Sequence, residues 1–504
     1  MRSIKEMYFI HRIKRNQRRF RAMERAVGRA RDLSVRCARA KRAADFAVSH
    51  TTDVFASDVL ERAFTDLAQT IHVPQQKNYT PGTTLHVMTE AYTSGGHTRC
   101  VERWAQQMVK YQHSCVLLRQ TEKIPPQLRD VMQKSGGDLF VLDKNETIVQ
   151  SAIRLRQMAS EYELIVLHIH MNDPIALVAF GTPEFERPVI FFNHADHAFW
   201  IGVSISDYVA DLNNNRNELT RTQRGAARAS VLGIPADNTN VLKINKDVAR
   251  KKLGIAPKQK MIFSSGQATK YDPLGHPDFS DIISDLIDAD NDIVFYVAGA
   301  NADSIFWPRL RKKYPNNLVL VGRLDYATEY PLYLGAADLV IDSTPVGGET
   351  AIIDAVRAGK PVLTLNSVVQ ADFLITSGAC CHTYSDLLVR AHKILDDKQY
   401  AAELFDDVWS RFVLETDVDE WCRRCEQIIK SLPSHHHVYD FKPGRPGRKI
   451  TEYSYSTTRW TQPFKKKEIW PNLAKWFLYI QINRCEQVVR ICGITLINRH
   501  RRFV

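Results

Sequence analysis

Two short segments in the second half of the chain hold the residue types needed to grip a phosphate. The first, "STPVGGET" (343–350), follows the apolar run Leu339, Val340, Ile341 and opens a helical pattern that closes at Gly359, Lys360 and Pro361. The first amides of a helix have no partner within it and attract anions, and glycine lets a phosphate approach the backbone. Gly347, Gly348 and Glu349 therefore form a candidate donor-binding turn. Thr350 adds a hydroxyl, and Asp354, one turn further in, is spaced to accept hydrogen bonds from a ribose diol. An ordinary strand-to-helix turn fits the same residues. The second segment, "SSGQATKYDP" (264–273), puts small and hydroxyl residues ahead of Lys270. An ammonium group beside a diphosphate neutralises it and stabilises it as a leaving group; taken alone, Lys270 is a solvated loop lysine.

Two more segments lie in the first half. "TEAYTSGGHTRCVERW" (89–104) reads as a strand end, a glycine turn and a helix, with Gly95, Gly96 and His97 at the turn. "NHADHAFWIG" (193–202) ends an apolar strand and crowds His194, Asp196 and His197 into four residues ahead of Phe199 and Trp200. A hydroxyl that attacks an electrophile must lose its proton, and a positioned imidazole or carboxylate takes it. Asp196 and His194 are the candidate bases, and the aromatic rings offer a stacking face. A His–Asp pair that only shapes the loop is the competing reading. His168 and His170 fall on a strand and read as core histidines.

The elements that must carry these residues are strands alternating with helices, the pattern of parallel, doubly wound sheets. Apolar runs at 85–90, 115–119, 139–143, 164–170 and 189–194 form one series, and runs at 261–266, 292–299, 318–322, 338–342 and 361–365 form another. The fold class is α/β, with two Rossmann-like domains in tandem and basic helical extensions at both ends. The divisions fall at 1–80, 81–240, 241–432 and 433–504. The formal net charge is +12, but residues 1–45 hold 15 Lys and Arg against 4 acids, and 442–504 hold 14 against 3. An acidic body thus lies between two basic arms, which point to an anionic partner. Phe9, Ile13, Phe20 and Val27 make an apolar stripe in the first arm, suited to packing on the body or lying on a membrane. Residues 469–498 read as an aromatic helix with cationic flanks, with the same two options. No run of about 18 uncharged apolar residues occurs, and no secretory leader pattern opens the chain. The expected place is cytoplasmic, peripheral on the inner face of a membrane. Nine cysteines without framework spacing, Cys422 and Cys425 included, read as reduced thiols.

The pairing of Lys270-Tyr271-Asp272-Pro273 with Gly348-Glu349-Thr350, Asp354 and Gly359-Lys360-Pro361 resembles sugar-nucleotide glycosyltransferases of the GT-B fold. It is most similar to the group of O-GlcNAc transferases and bacterial protein N-glucosyltransferases, without the tetratricopeptide repeats of the former. The resemblance implies that Lys270 and the Gly348–Thr350 turn hold a UDP diphosphate and that Asp354 holds the ribose. Glu349 stands where the family has His or Asn, so one phosphate donor is absent. The Gly95-Gly96-His97 loop is similar to the first loop of many GT-B enzymes, which approaches the donor. The Glu-x7-Glu signature of retaining enzymes is not met, because Val346 stands at the first position, so inversion with an N-domain base is expected. No metal or other cofactor is required, since Lys270 and the helix start replace a cation; Asp288/Asp290, Asp417/Asp419 and His435–His437 read as non-metal. The resemblance implies hexosyl or N-acetylhexosaminyl transfer from a UDP-sugar, and the basic arms point to an acceptor at a membrane, a cell-surface glycan or lipid-linked saccharide. A protein acceptor, a UDP-sugar epimerase, and a nucleic-acid-binding protein on a degenerate scaffold are the alternatives; the arms lack any nucleic-acid recognition motif.

Overall fold

The computed structural model describes residues 4–74, 78–93, 96–195, 197–235, 243–271, 278–300, 306–344, 347–366, 372–445, 454, 478–482, 486–491 and 494–500. They fall into two compact units, 1–461 and 462–504. The first unit contains two parallel sheets. One has seven strands: β1 (Thr80–Met88), β2 (Gln112–Leu117), β3 (Leu139–Val141), β4 (Tyr162–His168), β5 (Val189–Phe192), β6 (Tyr208–Asp211) and β7 (Ala229–Val231). The other has six: β8 (Lys260–Ser265), β9 (Ile293–Ala298), β10 (Leu318–Gly322), β11 (Leu339–Ile341), β12 (Val362–Leu365) and β13 (Cys380–Cys381). The apolar runs predict ten of these. The additions β6, β7 and β13 are too short or too polar to show a pattern.

The strand orders are β3-β2-β1-β4-β5-β6-β7 and β10-β9-β8-β11-β12-β13. Both are the Rossmann order, which reverses direction beside the first strand. Ligands of such sheets bind beyond the carboxyl ends of the strands at that switch point. In the first sheet the loops after β1 and β4 flank the switch; in the second, the loops after β8 and β11 do. Those four loops carry Gly96 and His97, His170, Lys270, and Gly347 and Gly348.

The first arm belongs to the first domain. Helices Ile4–Gly28, Leu33–Ser49 and Asp58–Gln69 pack into the core beneath the seven-stranded sheet. Phe9, Ile13, Phe20 and Val27 are at most 1% exposed, so the stripe packs on the body and cannot enter a lipid surface. The outward face keeps its cations, with Lys14, Arg15, Arg18, Arg19 and Arg25 exposed.

The last helix of the second domain crosses back. Trp421, Cys425 and Ile428 of helix Val418–Ser431 share a buried cluster with Trp104, Val166, Ile190 and Phe192, and the Trp421 indole N–H donates to the Gly233 carbonyl at 3.2 Å. The segment after it also lies on the first domain. His436, expected in a solvated loop, is 5% exposed, with Nδ1 2.7 Å from Asp207 and Nε2 3.0 Å from the Phe180 carbonyl. In the second unit, β14 (Leu478–Ile482), β15 (Glu486–Ile491) and β16 (Ile494–His500) form an antiparallel sheet. The helix expected over 469–498 is not found in these residues. The runs "VVRI" and "ITLI" are rich in the β-branched residues that strands favour. Trp470, Trp476 and Phe477 lie outside the described residues. No described helix is long and apolar enough to cross a membrane.

Candidate active site

Lys270 lies in a short 3-10 turn after β8 (Ala268–Tyr271). The turn is held from below by Tyr271, 1% exposed, whose hydroxyl lies 3.1 Å from Ser264 Oγ. Gly299 brings the end of β9 against it: with φ +78°, a Cβ there would lie 2.0 Å from the Gly266 carbonyl oxygen. The loop is thereby aimed at the β11 turn, where Lys270 Nζ donates to the Gly347 carbonyl at 2.6 Å.

The helix Glu349–Arg357 starts without a side-chain cap at Gly348. One of its expected free donors is already used: the Gly348 N–H donates to Asp342 Oδ1 at 2.7 Å, as does the Ser343 N–H at 2.8 Å. Burial pushes the Asp342 carboxyl up to about 6, against the pull of the Gly348 amide, Lys270, Thr364 and Ser343. The next first-turn amides have no acceptor within the helix. Gly348 has φ −108°, so its need for glycine is closeness: a Cβ would meet Asp342 Oδ1 at 3.3 Å and the Ser265 carbonyl at 3.4 Å.

The two switch points meet. A Cβ on Gly96 would fall 2.8 Å from Thr350 Cγ2 and 3.4 Å from Thr350 Oγ1, so the glycine loop of the first domain lies directly on the phosphate turn of the second. His97, the next residue, packs edge-on against His194 with ring centroids 4.2 Å apart. Behind it, His170 Nε2 lies 2.9 Å from the Tyr92 hydroxyl, which donates to Glu90 Oε2 at 2.9 Å. Burial lowers the pKa of His97 to about 4 and that of His194 well below the ordinary range, each helped by a neighbouring imidazole. Burial thus favours the neutral imidazole in both.

Asp354 is 3% exposed and faces the other domain. Arg103 Nη2 donates to its Oδ1 at 3.2 Å, and the Tyr326 hydroxyl donates to its Oδ2 at 3.0 Å. Arg99 lies over the Tyr326 ring at 3.3 Å. Both carboxylate oxygens are thus engaged at the domain interface, and a ribose has no access to them in this arrangement.

No family model matches the chain, and no curated protein does. Solved structures do. HepE of Anabaena, in complex with UDP and glucose, superposes with a TM-score of 0.53 at 16% identity, over 69% of this chain and 100% of its own. A glycosyltransferase of Rickettsia africae superposes at 0.54 with 11% identity, over 70% and 98%. The O-GlcNAc transferase of Thermobaculum terrenum superposes at 0.50 with 12% identity, over 81% and 80%. All are GT-B glycosyltransferases. The chain has the GT-B fold.

Within this GT-B frame the expected site residues separate. Lys270, Gly347, Gly348, Thr350, Gly96, His97 and His194 come together at the facing switch points. Gly95 and Asp196 lie outside the described residues, as does the side chain of Glu349. His197 is partly exposed on the same loop as His194. Phe199 and Trp200 are 4% and 0% exposed, packed on Phe20 and Phe191, so neither offers a sugar-stacking face. Lys360 points away, donating to the Gly335 and Ala337 carbonyls. Asp288 and Asp290 pair with Lys313 and Lys260. Asp342 was missed because its acceptor role depends on how the Gly347–Gly348 turn folds back, and Arg103, Tyr326 and the His170–Tyr92–Glu90 string because they act through partners distant in sequence; only the His168-x-His170 spacing hinted at the last.

Proposed function

We propose that this GT-B protein transfers a sugar from a UDP-sugar to a hydroxyl group by direct, inverting displacement. One observation carries the reading: Gly96 lies against Thr350, with His97 and His194 on one side of that contact and Lys270 on the Gly347 carbonyl on the other. A cationic, amide-lined turn on one domain and neutral imidazoles on the other are what a diphosphate leaving group and an attacking hydroxyl require. The UDP and glucose in the HepE complex support the donor class. Lys270, the Thr350 hydroxyl and the first amides of helix Glu349–Arg357 hold the diphosphate, and His194 takes the acceptor's proton. The ammonium group and helix start take the place of a metal ion.

The acceptor we favour is a cell-surface glycan or lipid-linked saccharide. The exposed cations of the first helix then hold the enzyme on an anionic membrane by charge alone. A protein acceptor is the second reading, favoured by the likeness to an O-GlcNAc transferase over 81% of the chain. Lys14→Glu/Arg15→Glu/Arg18→Glu separates the two, because it spares the buried stripe: loss of cosedimentation with anionic vesicles and of glycan transfer together supports the first. The donor site is tested by thermal shift across UDP-, GDP- and CMP-sugars. One UDP-sugar raises the melting temperature of the wild type and leaves Lys270→Ala unmoved; an equal response from both removes Lys270 from the site.

A further inference from the structure

Four histidines cross the first sheet on a diagonal. His113 of β2 is in register with Thr84, and His168 of β4 with Met88, so each is two residues off His86 on β1 and shares its face. Leu167 pairs with Phe191 of β5, and His194, just past the end of β5, continues the line. The imidazoles join end to end: His194 Nε2 to His168 Nδ1 at 2.9 Å, His168 Nε2 to His86 Nδ1 at 3.1 Å, and His86 Nε2 to His113 Nδ1 at 3.1 Å. The row ends where His113 Nε2 meets the Met108 carbonyl at 3.0 Å. His86, His113 and His168 are fully buried, while His194 is partly exposed at the site.

A carbonyl oxygen only accepts, so His113 carries a hydrogen on Nε2. A neutral His113 then offers Nδ1 as an acceptor, and His86 must donate to it from Nε2. The rule repeats at each link, so His194 donates its Nε2–H to His168 and keeps a lone pair on Nδ1. We propose that His113, His86 and His168 are positioning residues that lock His194 in the tautomer with a basic Nδ1 and spread the charge it acquires. The proposal rests on the reading of His194 as the base of glycosyl transfer.

In that step the acceptor O–H bond breaks and its proton goes to His194 Nδ1. The oxygen bonds to the anomeric carbon, whose bond to the diphosphate oxygen breaks with the electron pair leaving on UDP. The Nε2 proton of His194 can then pass to His168 Nδ1, that of His168 to His86, and that of His86 to His113, whose own Nε2–H still donates to Met108. Protons are conserved at every hop.

The surroundings of the row are largely aromatic and favour no resident charge. His97 faces His194 from helix Gly96–Gln107, Trp104 of the same helix lies edge-on to His86 and His168, Phe192 borders His168 and His194, and Tyr111 borders His113. The carboxylates Glu90 and Asp173 act on His170 instead. Burial lowers the pKa of all four; a neighbouring imidazole adds to this for His86, His168 and His194, while the Met108 carbonyl opposes it at His113.

The test uses full-length protein labelled with nitrogen-15 in its imidazoles. Long-range proton–nitrogen spectra at pH 7.5 should show Nε2–H on all four, with His194→Gln assigning the His194 set. His113→Phe removes the anchor. The His194 signals should then drift toward a mixture of tautomers, and kcat for UDP release from UDP-glucose should fall about tenfold with KM unchanged. His113→Asn, which restores an acceptor for His86, should recover part of that rate. A wild-type His194 protonated on Nδ1, or unchanged His194 signals and kcat in His113→Phe, overturns the proposal; the wild-type spectrum decides even if that variant does not fold. If the spectra behave as stated while UDP-glucose neither binds nor turns over, the tautomer lock stands and the transferase reading fails.

Discussion

Lys270 and Asp342 lie on either side of the Gly347–Gly348 turn, one donating to its carbonyl and the other accepting its amide. Asp342, held near 6 by burial, has a folded pKa above the ordinary carboxylate value. Its contribution to stability is therefore complete at low pH and lost as the pH rises through about 6. Lys270 offsets that loss by pulling the carboxyl down. Lys270→Ala lets it rise further, so the deficit against wild type should widen from pH 5 to pH 8, by about 1.4 kcal/mol for each unit of added shift. Thermal melts at the two pH values check this, and equal deficits would exclude the coupling. Lys270, the glycine turn and His194 were legible in the sequence because each belongs to a local run with its own chemistry. Asp342 was not, since only the backward fold of the turn shows what it accepts.

The elements bearing the site touch through glycine. Gly96→Ala would place a methyl group 2.8 Å from Thr350 Cγ2, and overpacking of this kind costs about 1–3 kcal/mol. Affinity for UDP-glucose in titration calorimetry should fall about tenfold. Thr350→Ser removes the opposing methyl and keeps the hydroxyl, so Gly96→Ala/Thr350→Ser should regain most of the loss; additive effects would mean that the contact does not form. Strands dominated by apolar residues and followed by a helical pattern announced themselves, because burial on both faces demands such runs. β6, β7 and β13 did not. His168 of β4 read as a core histidine, and His86 of β1 and His113 of β2 carried no signal of their own, since the register that joins them appears in no single strand.

For the whole molecule, the decisive pair is Arg103 with Asp354, both nearly buried between the two domains. Removing one member of such a pair leaves an uncompensated charge and costs about 3–5 kcal/mol, whereas replacing both with apolar residues is often neutral. Asp354→Asn should destabilise strongly in chemical denaturation, and Arg103→Met/Asp354→Leu should come close to wild type; simple addition of the single effects would exclude the pairing. The two Rossmann units in tandem and the segments after β1, β5, β8 and β11 were determined by the sequence alone, because hydrophobic period and glycine placement are local properties of a chain. The destination of Asp354, the burial of the N-terminal stripe, the return of helix Val418–Ser431 and the histidine diagonal were decided only by the tertiary structure. Each depends on which surfaces meet, and a contact between residues up to about 250 positions apart leaves no trace in the pattern of either segment.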